Sequence, residues 1–101
     1  MTPATLALVC EAAEAVTGGR TLDVLTEGAG DARTVTVATW SATERHRKVT
    51  LRAWSERGLL WQAVQRVESA NATDTTRRIE RRLRSAIAAL DKPAAKSDGA
   101  A

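Results

Sequence analysis

Apolar and polar positions change period several times along this 101-residue chain, and each change marks an element. Leu6, Val9, Ala13 and Val16 recur at helical spacing, with Glu11 and Glu14 off the stripe. Thr2 stands as an N-cap before Pro3 at the first helical position, and Gly18-Gly19 stops the helix. Thr21 to Thr26 reads as a short β-rich segment, and the turn formers Glu27 to Asp31 follow it as a loop. Arg33 to Trp40 alternates and is dominated by β-branched residues, which predicts a strand. A polar connection, Ser41 to His46, leads to a second strand of the same kind, Lys48 to Trp54. Glu56-Arg57-Gly58 reads as a tight reversal with Gly58 at positive φ, and Leu59 to Glu68 reads as a last strand. After the capping residues Asn71 to Asp74, Ile79, Leu83, Ala86, Ile87 and Leu90 form one stripe of a second helix, which Lys92-Pro93 ends.

The expected fold is therefore an α+β two-layer domain, a four-stranded antiparallel meander with N- and C-terminal helices in the order α-β-β-β-β-α. Residues 1–92 are expected to form this single domain, and 93–101 a disordered small-residue tail.

One sheet face needs its own explanation. Val35, Val37, Val49, Leu51 and Ala53 are the natural core residues, so period-2 alternation turns Thr34, Thr36, Thr50, Arg52 and Trp54 outward. Whether Trp61 joins Trp54 depends on register. A two- or four-residue loop at Arg57-Gly58 puts them on one face, whereas a three-residue loop with a glycine bulge reverses the whole strand. Trp40 depends similarly on a bulge in the 41–46 loop. Three readings compete for this face: ordinary burial under a helix, a self-association or partner interface anchored by Trp and Arg, and a platform where indoles stack on bases.

Charge changes the picture more than composition does. The chain carries +3 overall, but residues 1–32 carry −4 and the rest +7, which points to an acidic partner for the C-terminal two-thirds. Arg77, Arg78, Arg81, Arg82 and Arg84 crowd about two turns of the second helix. They read either as phosphate contacts or as a solvated face around the core stripe, with Glu80 pairing to Arg77 or Arg84. No helix-turn-helix precedes this helix, so major-groove reading is not expected. Hydrophobic residues at 44% describe an ordinary globular chain whose light core favours pairing with a second copy. No basic n-region and no run of ~20 apolar residues is present, so a cytoplasmic protein with no membrane partner is expected. Cys10, the only cysteine, excludes an internal disulfide and a four-cysteine zinc site.

Catalytic chemistry is poorly served. His46, the only histidine, lies between Arg45 and Arg47, a poor setting for a bound cation. Cys10 reads as a small hydrophobe in an apolar helix, and Glu11 with Glu14 as that helix's wet face. Gly28-Ala29-Gly30 does not lead from a strand into a helix, so it is no phosphate cradle.

The expectation is a non-enzymatic binding protein without cofactor or metal, working as a homodimer. Its leading function is single-stranded nucleic-acid or RNA binding through Trp54, Arg52, Trp61 and Trp40, with Arg47, Lys48, Arg77 and Arg81 as electrostatic support. The alternative is a protein-interaction or assembly module, of the kind a small phage accessory, inhibitor or adaptor would be, using the same face. In outline the expected architecture resembles sheet-based single-strand-binding folds such as the Whirly-type proteins, which present a sheet to nucleic acid and use helices to dimerise.

Overall fold

A computed structural model of the chain describes residues 1–29, 32–43 and 45–91. Helix α1 spans Pro3–Thr17, strands β1, β2 and β3 span Arg20–Ala29, Ala32–Ser41 and Arg45–Ala53, and helices α2 and α3 span Glu56–Glu68 and Asp74–Asp91. The protein is thus α+β with an antiparallel sheet and helices at both ends, as the pattern implies. Among the described residues the sheet has three strands in the order β1-β2-β3, and there are three helices. The expected tail at 93–101 lies outside the described residues, as do Gly30 and Asp31 of the expected loop.

The expected fourth strand is α2. Leu59, Leu60, Ala63, Val64 and Val67 are all buried, a spacing that only a helix can hide. The expected reversal at Glu56-Arg57-Gly58 is the first turn of that helix. Ser55 caps it by accepting from the Gly58 N–H at 3.0 Å, with Glu56 in the favourable first turn. Gly58 is needed for space, since a Cβ there would stand 2.9 Å from the Ala53 methyl.

At α1, Thr2 accepts from the Thr5 N–H at 3.2 Å and Pro3 opens the helix. Gly18 closes it at φ 75°, with its N–H bonded to the Glu14 carbonyl. Gly19 then passes so close to β2 that an added Cβ would lie 2.8 Å from the Trp40 carbonyl oxygen. Below this crossing the Thr39 hydroxyl donates to Thr17, whose own hydroxyl donates to the Ala13 carbonyl, both at 2.9 Å. This chain satisfies two buried hydroxyls. Near the same end of α1, Thr73 and Thr76 exchange backbone and hydroxyl bonds at the start of α3.

The layers number three, not the two expected. Helix α1 packs on β1 and β2, α2 packs on β3, and α3 packs on α1 and α2 rather than on the strands. Sandwiched in this way, α1 buries Leu8 and Ala12 as well as Val9 and Ala13. Ile79, Leu83 and Ile87 of α3 close the outer side of the core, while Leu90, expected in the same stripe, is exposed. Val35, Val37, Val49 and Leu51 close the sheet side, as alternation requires.

Candidate functional site

With all three helices on one side, the other face of the sheet is left uncovered. Its rows follow from the register. Arg20, Trp40 and His46 lie side by side, then Asp23, Ala38 and Lys48, then Leu25, Thr36 and Thr50, then Glu27, Thr34 and Arg52. Trp54 follows just past the end of β3 with 74% of its surface exposed. Trp40 is 41% exposed, and Leu25 on β1 is 55% exposed. The Thr36 and Thr50 hydroxyls pair across strands at 3.3 Å.

The two lateral edges of the sheet differ. On β3, Gln62 of α2 accepts from the Arg52 N–H at 2.9 Å and donates to its carbonyl, and Arg66 donates to the Thr50 carbonyl at 3.1 Å. These side chains occupy backbone groups that would otherwise invite another strand. On β1 a register shift between Thr21 and Asp23 interrupts the ladder, and Leu22 stands 57% exposed there. Bulges and charged side chains discourage edge-on pairing, so the face rather than the edge is the accessible feature.

Of the residues singled out in the sequence, Trp54, Arg52 and Lys48 meet on this face, with Trp40 at its far end. His46, the neighbour of Trp40, is eight positions before Trp54, so a rise of ~3.4 Å per residue separates the two indoles by roughly 27 Å. Arg47 pairs with the inward-facing Thr39, so it belongs to the helix side, where it borders Val16, Ala70 and Asn71. Trp61 belongs to α2, half-buried against the core, with the guanidiniums of Arg57 and Arg84 over its ring at 5.9 and 5.4 Å. Neither register considered for a strand applies to it. Arg77 and Arg81 are exposed on α3, in the layer farthest from the sheet.

The chain matches no family model, no curated protein and no solved structure.

The charged groups fall into two settings. Arg57 bridges Asp91 at 2.7 Å, Arg84 bridges Glu68 at 2.6 Å and Glu80 at 2.9 Å, and Arg82 bridges Glu11. Arg77, Arg78 and Arg81 have no ion-pair partner among the described residues, and neither do Asp23, Glu27, Lys48 and Arg52. Arg78, Arg81 and Arg82 also line an open groove of about 380 Å³ beside Leu8 and Ser85.

Cys10 packs at the edge of the core, and burial, reinforced by Glu14 and Glu11, pushes its thiol above the ordinary value. That environment opposes thiolate formation, the reverse of what a nucleophile needs. Among the described residues no three metal-ligating side chains cluster, and no helix is long and apolar enough to cross a membrane.

Sequence reasoning missed the β1 side of the face: Arg20, Asp23, Leu25 and Glu27. Val24 and Leu25 are both apolar, so alternation alone does not say which points inward. The pairing of Val24 with buried Val37 settles it.

Proposed function

We propose that this chain is a non-enzymatic interaction module whose uncovered sheet face docks against another polypeptide. The observation that carries the reading is the placement of every helix on one side of the sheet, leaving Trp54, Trp40 and Leu25 on a face that folding does not need to hide. Exposed tryptophan beside arginine is the composition of buried interface anchors. The face also mixes signs, with Asp23 and Glu27 on β1 beside Arg20 and with Lys48 and Arg52 on β3, and its two indoles stand too far apart to stack on neighbouring bases. Both features favour a polypeptide over a single strand of nucleic acid on this surface.

A second reading, nucleic-acid binding, is favoured by one observation elsewhere. Arg77, Arg78 and Arg81 stand exposed on α3 and have no ion pairs among the described residues, and there they form a cationic surface suited to phosphates. Lys48 and Arg52 of β3, with Trp54 just past its end, would supply a shorter track of the same character.

A photo-reactive benzophenone amino acid placed at Leu25, and separately at Arg81, tests both readings in cells producing the protein. The sheet-face reading expects a polypeptide adduct from position 25 that disappears when Thr36→Arg is added. Nucleic acid crosslinked from position 81 would support the second reading, and a position 25 that yields no polypeptide adduct would remove the first.

A further inference from the structure

We infer that the polypeptide on the sheet face is a second copy of this chain, docked face to face about a two-fold axis that runs along β2. The inference rests on the sheet-face reading and adds the identity of the partner.

The register sets opposite charges on the two edge strands. Asp23 and Lys48 occupy one row and Glu27 and Arg52 another, each acid on β1 and each base on β3, with β2 between them. Within one chain the members of a row are two strand spacings apart, about 10 Å, too far to pair. Now let a second sheet face the first. A two-fold axis parallel to β2 exchanges left and right but keeps height along the strand. It therefore lays β1 of one copy over β3 of the other in the same row. Asp23 then faces Lys48, and Glu27 faces Arg52, twice each by symmetry. Trp40 faces its own copy, Thr36 faces Thr36, and Leu25 covers Thr50.

The other two-fold in the sheet plane, running across the strands through the Leu25 row, gives the opposite result. It lays β1 on β1 and β3 on β3, so that Asp23 meets Glu27 and Lys48 meets Arg52. Like charges then confront one another at all four positions, which disfavours the docking. Of these two arrangements only the first sets unlike charges against each other. It is also the aligned packing that twisted sheets adopt, with strand directions within about 30°.

The centre of the face suits such packing. Ala38, Thr34 and Thr36 on β2 are small, and the Thr36 and Thr50 hydroxyls already share one hydrogen bond, which lowers the cost of burying that pair. The charged pairs lie on the edge strands, at the rim where solvent remains. Three strands about 4.8 Å apart and about ten residues long present roughly 450 Å² per protomer, or roughly 900 Å² per pair before the indoles are added. That is slightly under the ~1,200 Å² of standard stable interfaces, so a micromolar rather than nanomolar dimer is expected.

Sedimentation equilibrium of the full chain, taken up to about 0.5 mM, tests this. The expected result is a monomer–dimer equilibrium. Asp23→Lys and Lys48→Asp should each weaken it about tenfold, and the double variant should return it to within about threefold of the parent. Glu27→Arg with Arg52→Glu provides an independent pair should the first perturb folding, which far-UV circular dichroism checks. A dimer indifferent to either reversal, or not restored by the double variants, overturns the inference. So does a monomer throughout the concentration range. In that last case a heterologous polypeptide adduct from position 25 would preserve the broader docking reading, and the absence of any adduct would remove both.

Discussion

Removing each of two tryptophans measures how much of this molecule's aromatic surface serves the fold. Trp54 keeps 74% of its surface in water, so of the ~250 Å² such a residue offers only about 60 Å² is withdrawn. At ~25 cal/mol per Å² that burial stabilises by about 1.5 kcal/mol at most, and a denatured chain already hides part of it. Trp54→Ala is therefore expected to cost under about 1 kcal/mol, measured at a concentration below any dimerisation. Trp61 is half-buried against the core with Arg57 and Arg84 over its ring at 5.9 and 5.4 Å. Truncating a buried tryptophan costs ~3–5 kcal/mol, and partial exposure brings the expected loss here to about 2–3 kcal/mol, including two cation–π contacts. A chain of this size is stable by roughly 5–10 kcal/mol, so the second loss is a large fraction of the whole. Urea titration followed by far-UV circular dichroism reads both. With a slope of about 1.5 kcal/mol/M, the midpoint should fall by roughly 1.7 M for Trp61→Ala and by less than about 0.7 M for Trp54→Ala. Equal shifts would refute the placement of Trp54 outside the core, and with it the free sheet face.

Three further outcomes follow from the packing. Gly19→Ala should cost about 2–3 kcal/mol in the same titration, because the Cβ would meet the Trp40 backbone at 2.8 Å, whereas Gly18→Ala, strained only by its φ of 75°, should cost about 1 kcal/mol. Leu83→Ala, emptying a fully buried site between α3 and the inner helices, should lower the melting temperature by about 12–20 °C on a loss of about 3 kcal/mol. The Glu56 carboxyl is held below its ordinary range by the Thr5 hydroxyl, with Thr2 adding bonds and burial opposing them. A depressed folded value stabilises above the unfolded one and is lost as pH falls below about 4.3, so Glu56→Gln should be less stable at neutral pH and show a flatter acid limb. An acid limb as steep as the parent's would discard that role for Glu56.

Alternation alone determined that Thr34 shares a side with Thr36, and Thr50 with Arg52, because successive residues of a strand point to opposite sides whatever else the chain does. Composition and caps likewise marked α1 and α3, where Pro3, Gly18 and the Ile79–Leu83–Ile87 stripe leave little choice. The segment from Leu59 was different. Leu59, Trp61, Ala63 and Val67 fit a strand's alternation, while Leu59, Leu60, Ala63, Val64 and Val67 fit a helix, and a short apolar run satisfies both periods. Tertiary structure resolved it: the sheet on one side and α3 on the other give a helix two covered faces, and both Leu59 and Leu60 are fully buried. The same packing withdrew Trp61 from the sheet and moved the arginines of α3 to the far side of the molecule. It also decided which side chains of β1 stand opposite Lys48 and Arg52, because register is set by pairing between strands and leaves no local trace in either one.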